Sequence, residues 1–382
     1  MKRIYLISLS AFLLVMFSGC SDWLNIKPES EIIKDEFWQS ETDVQSVIAA
    51  CYKGLTEEDA VDRMILWGEL RSDNIGRGTL VTSNDLGKGI YNVLNGEINA
   101  FNPISSWTSF YSVINYCNTV LAFAPLVIDR DKNFTQSDLL RAQAEVRTIR
   151  ALCYFYLVRA FKEVPYIEDA SISDVQDYDK PKETEETVIN HIIEDLLFAQ
   201  KNAPIDYGKV SQNKGRVTRN MVNALLADVY LWKQDYAKCV ETCDLVLADK
   251  SLQLITNSVY FSQIFYLGNS QESIFELQFD DTNAPNKGVA TLYGSPSNPL
   301  GYLAFPASLA DNLYTKQNNR TGLYSPFNYK VSSTVTESAN DERAKDSYNN
   351  NIGDLTGTYY IFKYPGVKRV DDASKINTTY LY

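Results

Sequence analysis

The chain has 382 residues, 45% of them hydrophobic and 22% charged, which excludes a disordered protein and allows a large core. Asp and Glu outnumber Lys and Arg by 48 to 36, giving a formal charge of −12 with no basic run, which argues against nucleic acid as a partner. The lone histidine, His191, excludes a His-paired zinc site and argues against a catalytic triad.

Lys2 and Arg3 precede a 14-residue, mostly apolar run, Ile4 to Phe17, too short to span a membrane and the right length for the core of a secretory signal. It ends in Phe17-Ser18-Gly19-Cys20, and small residues just before a Cys resemble the lipobox of bacterial lipoproteins. Residues 1–19 are then a signal peptide, and Cys20 is the mature N-terminus that carries the lipid. Cleavage removes Lys2 and Arg3 and moves the charge from −12 to −14. No other segment reads as transmembrane. Five cysteines remain (Cys51, Cys117, Cys153, Cys239 and Cys243), an odd number that argues for buried thiols over a disulfide framework.

Residues 20–40 read as a lipidated tether, extended from Trp23 to Trp38, and 41–382 as a single helical domain. Val44, Val47, Ile48, Cys51 and Leu55 form an apolar stripe that predicts a helix over Glu41–Glu58. Arg71 to Pro103, with glycines at 76, 78, 87, 89 and 96, reads as a long irregular segment, a kind that often carries function. Helical periodicity returns over Ser106–Pro125 and Asp138–Phe161. Thr184 and Thr218 are expected N-caps of two more helices, the second reaching about Trp232. Gln234-Asp235 reads as a tight turn before a helix over Ala237–Ala248. Ser273 to Phe279 predicts one short strand or extended segment, and Asp280 to Asn351 reads as loop.

Leu226-Ala227-x-x-Tyr230, followed by Cys239-x-x-x-Cys243, matches the spacing of a tetratricopeptide repeat. Small residues let the two helices approach, so repeat packing explains Cys239 and Cys243 better than half a metal site does. The fold class expected is all-α, with a tetratricopeptide core and long irregular loops.

Four places in the chain resemble the RagB/SusD family of nutrient-binding outer-membrane lipoproteins. They are Cys20-Ser21-Asp22-Trp23-Leu24-Asn25 with Pro28; Ala144-Glu145-Val146-Arg147-Thr148-Ile149-Arg150-Ala151 running on to Val164-Pro165; Gly215-Arg216-Val217-Thr218 with Ala224 to Leu231; and, more weakly, Glu272 to Glu276 with Asp341-Glu342-Arg343. The resemblance implies a SusD-like helical fold, no enzymatic activity and no cofactor. It also implies a place on the outer face of the outer membrane, anchored through Cys20. There such a protein captures oligosaccharide and passes it to a SusC-like TonB-dependent transporter. The family continues with a further helical hairpin, and this sequence ends where that hairpin would begin. Either the sequence is cut short there or the protein lacks its last repeat, and a missing hairpin would leave an apolar face exposed on the preceding repeat.

Sugar recognition needs an aromatic platform plus Asp, Asn or Arg for paired hydrogen bonds. Trp67, Asp73, Asn74 and Arg77 provide that mixture at the entry to the Gly-rich segment, with Tyr91 as a platform. The resemblance places part of the ligand surface in this region. Tyr293 and Tyr302 offer further aromatics, although burial of both, and of Trp67, is the competing reading. Trp107 and Trp232 lie in helical patterns and read as core, and His191 as a helix-face residue. Adjacent acids such as Asp280-Asp281 and Asp371-Asp372 read as solvated charge, since glycosidase carboxylates converge from separate elements. No catalytic or metal residue is assigned. A protein-binding adaptor using the repeat groove, and more remotely a glycoside hydrolase, are the competing function classes.

Overall fold

Short polar side chains start the helices by satisfying amides that have no partner in the first turn. Thr135 and Asp138 cap one another reciprocally, with Thr135 Oγ1 accepting from the Asp138 amide and Asp138 Oδ2 from the Thr135 amide. Thr184 Oγ1 accepts from the Thr187 amide at 3.2 Å and Thr218 Oγ1 from the Met221 amide at 3.4 Å. The computed structural model describes residues 37–72, 75–77, 84–172, 176–255, 263–279, 286–293, 302–304 and 380–381. Cys20 and nearly all of the expected tether lie outside them. The chain divides into residues 1–39 and a unit, Ser40–Tyr382, that carries the elements below.

Ten helices are described: α1 Glu41–Thr56, α2 Glu58–Glu69, α3 Asp85–Leu94, α4 Thr108–Phe123, α5 Gln136–Phe161, α6 Glu185–Asn202, α7 Val210–Gly215, α8 Arg219–Trp232, α9 Tyr236–Leu247 and α10 Lys287–Tyr293. Helices α1, α4, α5, α6, α8 and α9 form an array in which each packs on the next, while α10 packs on α2. Strand content among the described residues is two pairs of two-residue strands. Gly76–Arg77 (β1) pairs antiparallel with Leu303–Ala304 (β3), and Glu276–Leu277 (β2) with Tyr380–Leu381 (β4). The expected strand over Ser273–Phe279 thus shrinks to β2.

Three expectations need correction, one of them the loop expected over Asp280–Asn351, which holds helix α10. The Gly-rich stretch is not irregular throughout, because α3 lies inside it. Gly89 on α3 is required by a close approach: an added Cβ would sit 2.6 Å from Asn102 Oδ1. Asn102 uses that proximity, donating to the Gly89 carbonyl at 2.9 Å and accepting from the Ile104 amide at 3.0 Å. The helix expected over Glu41–Glu58 ends at Thr56, and α2 follows it and buries Ala60 to Leu66 without a break.

Residues 103–127, α4 with its flanking turns, contain an 18-residue stretch of mean hydropathy 1.3 and are apolar and long enough to cross a membrane. Here that apolarity serves the interior, since α4 packs between α1 and α5. It also carries the buried Asn118, which accepts from Arg150 Nη1 at 2.7 Å and donates to the Ile167 carbonyl at 2.8 Å. Burial raises the pKa of the neighbouring Cys117 and Cys153 thiols, so they stay protonated as small hydrophobes.

The two sequence stretches richest in family-like residues build two buried ion clusters. Asp195 on α6 accepts from Arg150 Nε and Nη2, both at 2.8 Å, and from Arg147 Nη1 at 2.7 Å. Glu145 accepts from Arg216 Nε at 2.8 Å and Nη2 at 2.7 Å, and from the Tyr52 hydroxyl at 2.6 Å. The 144–151 and 215–218 stretches therefore hold one another.

Asp62 on α2 is 4% exposed, and its Oδ1 has no hydrogen-bond partner. Burial, with Glu58 adding to it, pushes its carboxyl up to about 7. The folded state therefore holds the proton more tightly than the unfolded chain, whose Asp titrates near about 3.9. Stability falls as pH rises through the window between those values and is level above it. Asp62→Asn is expected to match the parent at pH 4 and to be more stable at pH 8 by roughly 1–3 kcal/mol. Thermal melting at both pH values checks this, and equal melting temperatures at pH 8 would refute it.

Candidate functional site

The region around β1 and α3 rests on a buried cluster that includes Ile65 and Leu66 of α2, Leu70 just after it, Ile75, Ile90 of α3, Val289 and Leu292 of α10, and Tyr302 and Leu303. This cluster fixes the height at which β1 leaves the core. Ile75 is buried, Gly76 half-buried and Arg77 exposed, so the chain rises to the surface over three residues. Pairing with β3 holds Arg77 opposite Leu303.

Arg77 and Tyr91 come together. The guanidinium carbon lies 4.1 Å from the centroid of the Tyr91 ring. Tyr91 packs against the cluster beneath it. A cation over a ring face gains about 0.5–1 kcal/mol at an exposed site. Its larger effect here is positional, because an exposed planar fork of donors is held over the ring. Such a fork suits paired acceptors, including two neighbouring sugar hydroxyls. Tyr91 therefore supports Arg77, and this ring face is not a free platform for a sugar.

The other candidates separate. Trp67 is half-buried, stacked on Phe110 at 4.9 Å, edge-on to Phe161, and donates from Nε1 to the Ile104 carbonyl at 2.7 Å. Its ring is built into the wall. Tyr302 is 2% exposed and its hydroxyl accepts from Asn84 Nδ2 at 2.7 Å. Asn84 Oδ1 in turn accepts from the Gly87 amide and caps α3. A ring that buried cannot stack on a ligand, so Tyr302 is corrected to a structural residue that ties β3 to α3. Tyr293 closes α10, and its side chain, like all of Asp73 and Asn74, lies outside the described residues.

Among the described residues no group of three or more His, Cys, Asp or Glu side chains is arranged to hold a metal. His191 stacks flat on Tyr166 at 4.1 Å, on a face of α6. The expectation that Trp232 is core is corrected, since it is 44% exposed at the end of α8. Trp107 is half-buried and forms the N-cap position of α4. In the α8–α9 hairpin Leu226, Ala227 and Tyr230 are buried, Cys239 and Cys243 half-buried, and Gln234 turns the chain with φ of 63°.

Known proteins match this arrangement. Residues 22–231 fit the profile of a SusD-like family described as starch-binding associating with outer membrane. SusD-like protein P38 of Formosa agariphila is 24% identical over 323 residues, 80% of this chain and 60% of that protein. The starch-binding protein SusD of Bacteroides thetaiotaomicron is 28% identical over 172 residues, 43% of this chain and 30% of its own. This chain spans less than two thirds of the length of those relatives. A laminarin-binding SusD-like protein superposes with a TM-score of 0.67 at 19% identity, covering 90% of this chain and 77% of that one. Surface glycan-binding protein A from Bacteroides thetaiotaomicron, in complex with laminarihexaose, gives 0.64 at 17% identity, covering 89% and 75%. These structural likenesses establish the helical fold. The profile match covers more than half of the sequence and takes in the array from α1 to α8, including both buried ion clusters. The chain belongs to the SusD-like family.

Proposed function

We propose that this protein captures an oligosaccharide at the cell surface without transforming it. In this reading Cys20 carries the lipid that anchors it to the outer face of the outer membrane, and a SusC-like TonB-dependent transporter receives the ligand. The observation that carries the reading is the exposed Arg77 fork held over the Tyr91 ring above a buried apolar cluster. Asp73, Asn74 and Tyr293 are proposed to complete that surface from the adjoining segments. The laminarin and laminarihexaose named for two proteins of the same fold favour a glycan ligand.

Isothermal titration of the full chain against neutral and acidic oligosaccharides tests this. Saturable heat is expected with one ligand class. Arg77→Ala should weaken it about tenfold or more, the loss of hydrogen bonds from a charged donor. Arg77→Lys should not restore it, since an ammonium lacks the planar fork. Absence of heat with every sugar, from protein shown to be folded, overturns the proposal.

A second reading, protein docking on the last hairpin, draws on one observation: α9 exposes Tyr236, Val240, Leu245 and Leu247. A folded chain that pulls down a protein partner yet gives no heat with sugars would favour it.

A further inference from the structure

A cleft of about 860 Å³ opens where the C-terminus of α5, the N-terminus of α6 and the C-terminus of α8 converge, and it shares no lining residue with the Arg77–Tyr91 pair. Its volume lies within the range of small-molecule sites, about 300–1,000 Å³. Two residues in the left-handed region, Lys162 and Gln234, turn the chain away from the ends of α5 and α8 and leave the opening between them. The half-exposed Trp232 ring stands in this cleft, fixed by its Nε1 donating to Glu185 Oε1 at 2.8 Å.

The charges around the ring balance. Lys162, Lys182 and Lys233 face Glu163, Glu185 and Glu186. Such a lining has no preference for a net anion or cation, but it holds many donors and acceptors for hydroxyl groups. The surface also continues. Lys182 Nζ sits 6.0 Å from the Trp107 ring centroid, and Trp107 lines a neighbouring groove of about 520 Å³ with Tyr111 and Asn115. Phe161, which lines the first cleft, packs edge-on against Trp107 at 5.3 Å, so one aromatic wall serves both.

We propose that the surface running from Trp107 past Lys182 to Trp232 is a second glycan site, taking a neutral oligosaccharide across two subsites. The Trp232 and Trp107 rings meet the apolar faces of sugar units, and Lys162, Glu163 and Glu186 take their hydroxyls. The inference rests on the glycan-binding reading and adds that one chain holds two sugars at once. Two sites on one anchored protein raise the effective concentration of a long chain at either site.

The test is isothermal titration of the full chain with maltohexaose, laminarihexaose and xylohexaose. The expected result is two sites per chain for one of these probes. Trp232→Ala should remove one site, and Arg77→Ala the other. Glu186→Gln, an exposed change that leaves the fold intact, should weaken the second site at least fivefold. A single site that is lost in Arg77→Ala and untouched by Trp232→Ala and Glu186→Gln overturns this inference and leaves the first reading standing. No binding of any of the three probes by folded protein overturns this inference together with its premise.

Discussion

Asp195→Ala is expected to cost about 3–5 kcal/mol of folding stability, because it strips the partner from two guanidinium groups inside the helical array. Arg150 and Asp195 side chains are each 4% exposed, and their contact is two-pronged. Burial works against the Arg150 charge, but Asp195 more than offsets it and holds the guanidinium above its ordinary pKa, so it cannot shed its proton to escape. Arg147, at 31% exposure, can turn toward water. Arg147→Ala should therefore cost much less than Asp195→Ala. Replacing Arg150 and Asp195 together by Met and Leu should also cost much less, since no fully buried lone charge then remains and Arg147, left without Asp195, can turn toward water. Urea unfolding of the four proteins orders these losses. A loss below about 1 kcal/mol for Asp195→Ala would show that the cluster does not hold α5 to α6.

Glu145→Ala should be the next most damaging change, at about 3 kcal/mol. Glu145 is 2% exposed and receives both prongs of Arg216 together with the Tyr52 hydroxyl. Tyr52 passes the connection on by accepting from the Val217 amide at 2.8 Å, so one carboxylate joins α1, α5 and the start of α8. The cost sits at the low end of the range because the Arg216 side chain is 29% exposed and water recovers part of its charge. Arg216→Lys keeps the charge but can satisfy only one prong, and should lose about 1.5–3 kcal/mol. A lysine variant as stable as the parent would count against the paired geometry as the source of the stability.

The helices were legible where the apolar period was clean. Val44, Ile48, Cys51 and Leu55 are the buried face of α1, and Thr184 and Thr218 cap α6 and α8. Helix α2 was hidden because its buried run includes Asp62 and Arg63, which break the stripe, and because Glu57-Glu58-Asp59 reads as surface charge. Helix α3 was hidden by Gly87 and Gly89, and the small size of Gly89 answers a tertiary contact with Asn102 that no local pattern reveals. At the candidate site, the residue types around the loop were readable, but their geometry was not. That Tyr91 lies beneath Arg77 depends on the angle between β1 and α3, and that Tyr302 turns inward depends on its hydroxyl finding Asn84. The exposure of Trp232 was missed because a tryptophan in an apolar helix normally reads as core, and only the ending of α8 leaves it beside open space.

The pairing of β1 with β3 also sets an order of assembly. It closes all of the chain between Arg77 and Leu303 into one loop, and closing so long a loop costs entropy that neighbouring helices do not face. The α5–α6 and α8–α9 contacts join elements close in sequence and are within reach as soon as they are made. Arg77 must wait for a strand that is synthesised much later. A join of only two residues per strand is also a natural place for local opening while the array stays folded. A ligand that grips Arg77 would favour the closed form by mass action, drawing together two distant parts of the sequence.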